Sequence, residues 1–532
     1  MRMKNIKNDK TKIIALINGN FYSSSNIKKF FEALIIKNKK IDYIGSNKEV
    51  LRKINKIKNV KIIDLKGKTV LPGFIDTHVH LSSFGILLKQ VNLRNVLSIK
   101  ELIEKIKLEA KSKPGKLIIG IGWDQEKFKE KRIPTRWDLD KASKNNPIII
   151  IRVCGHLGVV NSFILKKLNL EKIYKKYKQY IEFNEKGECI GIFKEKALEE
   201  LLNLLLKYSI KEIEEILSIA IKEALKNGLT CIHFLSCEPI EFKALENLLK
   251  KGKLPIRIRA YINANYIDSI SKPLKINDKL RLMGIKILLD GSLGARTARL
   301  YEPYSDDPET RGTLLYNEEE FENFILKAKK KKLQVAIHAI GDEAIDKALN
   351  IIEKVYGKKA KDFRIRIEHA SLLNKEIIEK MKKIGIIASI QPHFIISDFW
   401  AVKRLGEKRS KYLYPFKTLF KKGIIITGSS DCPVEPINPF TGIYAAITRG
   451  KNEKIELWKY TKNEKLALEE AIKIYTINAA YSSFDENNIG SLEKGKYADF
   501  IILSENPFKK PIEKIKNIKI EKVIIDGEIV YE

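Results

Sequence analysis

The chain has 532 residues, of which 44% are hydrophobic and 31% charged. That balance describes one large folded domain with an accessory domain, or three ordinary ones, and excludes a disordered chain. Lys+Arg of 100 against Asp+Glu of 66 gives a net charge of +34. The lysines are spread evenly and no basic stripe interleaves with aromatics, so no nucleic-acid partner is expected.

No apolar run reaches the roughly 20 residues that span a bilayer. The basic start Met1-Arg2-Met3-Lys4 is followed by an apolar patch, Ile13-Ile14-Ala15-Leu16-Ile17, too short for a signal-peptide core. No membrane partner and a cytoplasmic location are therefore expected, with a homo-oligomer left open. Five cysteines (Cys154, Cys189, Cys231, Cys237, Cys432) are scattered without a Cys-x-x-Cys pair. They argue against both a disulfide framework and a cysteine zinc site.

Residues 11 to about 70 read as short strands and turns, with Asn18-Gly19 a strong turn signal and Lys40 to Gly45 alternating at period two. From Thr69 apolar runs of four to eight residues alternate with longer amphipathic stretches, the pattern of repeated βα units and a parallel sheet. The first run, Leu71 to Val79, ends in His78 and His80. The others are Pro147 to Val153 before His156, Gly228 to Ile232 before His233, and Met283 to Leu289 before Asp290. They continue with Leu333 to Ile337 before His338, Arg364 to Glu368 before His369, Ile386 to Pro392 before His393, and Gly423 to Gly428 before Asp431. Eight such strands predict an α/β fold of the closed (β/α)8 TIM type, whose C-terminal rim is where active sites are built. All seven histidines fall at or just beyond the ends of these runs.

Residues 1–70 and 488–532 share a β-rich texture and are expected to pair into one small accessory domain. The barrel is expected over 71–487, with insertions near 81–146 and 161–225 covering its mouth.

Residues two apart on a strand face the same way, so His78 and His80 present both imidazoles to one side. With His338, His369 and Asp431 they suit one or two zinc-like divalent ions. A pair of ions needs an anionic bridge. Lys286, flanked by apolar residues in a strand ending at the same rim, is able to serve as one in the form of a carbamate made with carbon dioxide. The alternative is a lysine ion-paired with Asp290 or Glu195. Attack by a metal-bound hydroxide, with Asp431 as proton shuttle to the leaving nitrogen, makes hydrolysis of an amide-type bond the expected reaction.

The chain resembles the amidohydrolase superfamily, in the amidohydrolase 3 branch that includes N-substituted formamide deformylases and many metal-dependent hydrolases. The resemblance is carried by Pro72-Gly73-Phe74-Ile75-Asp76-Thr77-His78-Val79-His80, Gly122-Trp123-Asp124-Gln125, Asp290 to Ala298, His338-Ala339-Ile340-Gly341-Asp342, Glu368-His369-Ala370, Gly428-Ser429-Ser430-Asp431 and Gly495-Lys496-Tyr497-Ala498-Asp499. It implies a metal-containing barrel flanked by a β-sandwich made from both chain ends. It further implies a ligand set of His78, His80, Lys286, His338, His369 and Asp431. Lys286 is then the carboxylated bridge, with Glu195 as the alternative bridging residue.

Two positions depart from the branch. Phe234 follows His233 where an acid is common, which makes His233 structural or pocket-lining. Gly341 stands where deaminases of the superfamily place a glutamate. Rim residues Trp123, His156, Arg296 and His393 are assigned to substrate binding, with Asp124 closing over the substrate alongside Trp123. The expected function is metal-dependent hydrolysis of a non-peptide C–N amide-type bond of a small molecule. The alternatives are a deaminase or cyclic-amide hydrolase of the same superfamily, or a catalytically silent metal-binding homologue.

Overall fold

Branched and apolar residues cluster in short segments after Thr69, and eight of these segments hydrogen-bond side by side, all in parallel, in one sheet. The computed structural model describes residues 13–23, 30–55, 57, 59–94, 96–152 and 156–532. The eight strands are β1 (Phe74–Val79), β2 (Leu229–Cys237), β3 (Arg257–Asn263), β4 (Leu280–Leu288), β5 (Gln334–Ala339), β6 (Arg366–His369), β7 (Ile387–Ile390) and β8 (Ile426–Gly428). They pair in the order β1 to β8. The circle is nearly closed by the segment after β8. Asp431 N donates to His78 O at 2.8 Å, and His80 N donates to Cys432 O at 2.9 Å. This closing seam carries Asp431 to the end of β1.

One strand expected in the barrel lies elsewhere. Ile148–Arg152 belongs to a six-stranded sheet within residues 85–216, a compact unit of its own. There it pairs in parallel with Ile118–Trp123 and antiparallel with Leu157–Val160. The second barrel position it was given goes to β2, the run expected third, and the third goes to β3, which the sequence pattern did not mark. Arg257 and Arg259 make that segment read as polar, yet both are buried. Arg257 is held by Asp499 and Asp526, and Arg259 by Asp485.

The chain ends supply two further sheets. Lys40–Gly45, Ala33–Lys37, Ile13–Ile17 and Val60–Asp64 form one; Glu528–Tyr531, Ile520–Ile525, Phe500–Leu503, Thr69–Pro72, Asn20–Tyr22 and Phe30–Phe31 form the other. Leu16, Leu34, Phe21, Val70, Phe500 and Ile524, drawn from both, share one apolar core.

No helix among the described residues is long and apolar enough to cross a membrane. Cys189, Cys231, Cys237 and Cys432 are buried free thiols. Cys154 and the basic start Met1 to Lys4 lie outside the described residues.

Candidate metal centre at the barrel rim

The strand period sets the first part of the site. Asp76 and His78 follow at two-residue spacing on β1, and His80 stands just past its end. The ring centroids of His78 and His80 are 5.3 Å apart. The closing seam adds Asp431, whose Oδ1 lies 3.3 Å from His78 Nε2 and 3.1 Å from His80 Nε2. One ligand atom from each of these three residues falls within 4.8 Å of the others. Three strands extend the cluster. Lys286 Nζ of β4 lies 3.5 Å from His78 Nε2. The ring of His369, ending β6, is 5.1 Å from that of His78 and 4.4 Å from that of His338 on β5.

The local backbone is held for this purpose. Asp76 Oδ1 accepts from the amides of His78 and Ser430 at 3.1 Å each, tying β1 to the turn after β8. His369 (φ 73°) and Asp431 (φ 58°) both occupy the left-handed region. Such backbone costs an L residue energy and clusters at active sites.

Burial sets the protonation states. Desolvation holds the imidazoles of His78 and His369 well below their ordinary basicity and brings His338 down to about 3. All three rings are therefore neutral, each with a lone pair. Desolvation also lowers Lys286 from 10.5 to about 8, against the pull of Glu368 and Asp431. Burial raises Asp290 to about 7 even though the amides of Arg299, Ile340 and Gly341 donate to it. His338 Nε2 meets Gly291 O at 2.9 Å, so Nε2 carries the proton and Nδ1 is left as the lone pair.

These residues fit a divalent cation. Asp431 Oδ1 and His369 Nδ1 are buried without a hydrogen-bond partner. The two imidazole nitrogens nearest Asp431 Oδ1 approach within ion-pair range, yet neither makes a hydrogen bond to it. Converging nitrogen lone pairs and a carboxylate oxygen form the donor set that zinc-like ions take.

The other assigned residues are distributed as follows. Arg296, after β4, is held by Asp306 through two hydrogen bonds of 3.1 and 3.0 Å. His393, after β7, is paired through Nδ1 with buried Glu435, which also accepts from Ser397 Oγ. His233 is fully buried mid-strand and accepts from Arg366 at Nδ1, a structural role. Trp123, Asp124, His156 and Glu195 all belong to the 85–216 unit. Trp123 is in that unit's core, stacked on Phe128. Asp124 pairs with Arg152. His156 follows a strand of that unit's own sheet rather than of the barrel, and it pairs with Glu195 on an exposed surface.

Sequence reasoning passed over Arg366, Glu368 as a functional group, and Glu435. The signal for the first two was present in Arg366-Ile367-Glu368, two charges at strand spacing inside an otherwise apolar run.

A histidine- and aspartate-lined rim on an eight-stranded parallel barrel defines a metal-dependent hydrolase of the amidohydrolase type. Residues 61–531 match the model of the amidohydrolase family. YtcJ of Bacillus subtilis (strain 168) is 34% identical over 88% of this chain and 90% of its own. N-substituted formamide deformylase of Arthrobacter pascens is 24% identical over 98% of each. The crystal structure of an uncharacterized metal-dependent hydrolase from Pyrococcus horikoshii OT3 is 36% identical. It superposes with a TM-score of 0.82 over 94% of this chain and 99% of that one. The chain belongs to the amidohydrolase family.

Proposed function

We propose that the protein hydrolyses a non-peptide C–N amide-type bond of a small molecule, using zinc held by His78, His80 and Asp431, with His338 and His369 serving a second ion. The observation that carries this reading is the convergence of two imidazole nitrogens on Asp431 Oδ1. A divalent cation held by these residues would supply a water of pKa lowered toward neutral and a Lewis acid for the scissile carbonyl. Asp431 orients the attacking water, accepts its proton and passes it to the departing nitrogen. Lys286 links the two ligand groups as a carbamate. Its neutral amine would bond to the carbon of carbon dioxide and release one proton to solvent, giving a carbamate anion able to serve as a further ligand. Its burial and lowered basicity support that reaction, since only the neutral amine is nucleophilic. His393, held by Glu435, is the rim residue best suited to a polar group of the substrate.

Gly341 weighs against deamination. A Cβ there would lie 2.0 Å from Arg299 O, so no glutamate side chain fits. The relation to N-substituted formamide deformylase makes N-formyl amines the first compounds to try.

The test is metal analysis of purified protein together with a screen of N-formyl, N-acyl and cyclic amides. We expect about one to two equivalents of zinc or a similar ion. A folded, metal-free preparation that cannot be reconstituted would sink the proposal. Lys286→Ala is expected to lose one ion and most turnover while Glu195→Ala keeps both; the reverse moves the bridge to Glu195.

A further inference from the structure

We propose that Arg366, acting through Glu368, is a positioning residue that commits His78 to carry its proton on Nδ1 and to turn its Nε2 lone pair toward the ion. The inference rests on the reading of His78 as a ligand.

Arg366 is completely buried at the start of β6, and each of its guanidinium nitrogens has a partner. Nε donates to Glu368 Oε1 at 2.8 Å, and Nη2 donates to Glu368 Oε2 at 3.0 Å. Nη2 also reaches Thr77 O at 2.6 Å and Ser389 Oγ at 3.3 Å. Nη1 donates to His233 Nδ1 at 2.8 Å and to Tyr261 OH at 3.2 Å, and Tyr261 in turn donates to Gln334 Oε1 at 2.8 Å. Residues of β1, β2, β3, β6 and β7 thus meet one cation, and β5 is reached through Tyr261.

A buried guanidinium is costly unless every donor is met, and a two-point grip on a carboxylate fixes geometry as well as charge. Here the grip fixes Glu368, two residues on along the same face of the strand. Both its oxygens already accept from Arg366, so Oε2 meets His78 Nδ1, 2.8 Å away, as an acceptor. His78 must donate at Nδ1, and the neutral ring then keeps a lone pair on Nε2, the nitrogen that faces Asp431 and Lys286. The competing explanation is that Arg366 and Glu368 merely plug the barrel interior.

Two substitutions separate the explanations. A lysine at 366 has one nitrogen and cannot hold two carboxylate oxygens together with Thr77 O and His233. A glutamine at 368 turns an N–H either on Arg366 or on His78. In the second case Nδ1 must accept and the ring proton moves to Nε2, closing the ligand position. Tyr261→Phe removes one partner of Arg366 while sparing its grip on Glu368.

The full-length protein is stripped with a chelator and titrated with Zn2+ against a competing dye. Circular dichroism and thermal melting check the fold of each variant. Arg366→Lys and Glu368→Gln are expected to weaken Zn2+ binding about 10–100-fold, with Tyr261→Phe unchanged. Ring-nitrogen NMR of 15N-histidine-labelled, zinc-free wild type is expected to report a His78 proton on Nδ1. Folded variants that bind Zn2+ as the wild type does, or a wild-type proton on Nε2, overturn the proposal. The NMR result decides if the variants do not fold. A folded wild type that takes no Zn2+ overturns the metal-site reading itself, an outcome distinct from variants that match it.

Discussion

His78 Nδ1 lies 2.8 Å from Glu368, and His156 Nδ1 lies 3.0 Å from Glu195, so by distance the two pairs are nearly alike. Their surroundings are opposite. His78 is 1% exposed and Glu368 0%, whereas His156 is 70% exposed and Glu195 53%. Water can replace either partner of the outer pair, and an exposed ion pair contributes about 0–1 kcal/mol. The inner pair has no solvent to fall back on, and its carboxylate is gripped by an arginine that is itself fully hydrogen-bonded. The same two side chains therefore make a passing surface contact in one place and a fixed geometric constraint in the other. A third group and the exclusion of water create the difference.

The largest effect expected from breaking the inner arrangement is chemical. Asp431→Asn keeps the shape of the side chain but removes the proton acceptor, and turnover of an N-formyl amine substrate should fall about 10²–10⁴-fold. Turnover within a factor of two of wild type would remove Asp431 from proton transfer.

Next comes stability. Glu368→Ala leaves Arg366 buried with its charge uncompensated and should cost about 3–5 kcal/mol in urea unfolding. Glu195→Ala and His156→Ala should each change stability by less than about 1 kcal/mol. Equal losses from Glu368→Ala and Glu195→Ala would erase the distinction drawn between the two pairs.

Lys286 tests the role of burial through pH. Its ammonium loses its proton near 8 in the folded chain, against 10.5 when unperturbed. Below pH 8 the folded state carries the full cost of a buried charge. Between the two values the unfolded chain binds more protons, so this group's contribution to stability rises with pH. In metal-free protein kept clear of carbon dioxide, the stability of wild type relative to Lys286→Met should improve by about 3 kcal/mol from pH 7.5 to 10.5. A flat difference would mean that Lys286 is not desolvated.

Much of the site was legible before the fold. The two-residue spacing of His78 and His80, and the placing of His338, His369 and Asp431 just where apolar runs end, follow from strand period and barrel architecture alone. The errors have a common cause. Ile148–Arg152 is as apolar and as regularly spaced as any barrel strand, because the 85–216 unit also contains parallel pairings. A run of isoleucines records that a strand is buried, not which sheet buries it. The opposite error hid β3. Arg257 and Arg259 read as solvent-facing until Asp499, Asp526 and Asp485, more than 200 residues away, are seen to neutralise them.

The sequence by itself determined the βα alternation, the placing of His78, His80, His338 and His369 at barrel-strand ends and the family, because these depend on local periodicity and on motifs written in consecutive residues. Tertiary structure alone decided which strands share the barrel and that the turn after β8 closes onto β1, setting Asp431 against His78 and His80. It alone also decided that Arg366 meets Glu368, His233 and Thr77 at one buried point. Those are contacts between residues far apart in the chain, and hydrophobic pattern specifies a buried face without naming what it is buried against.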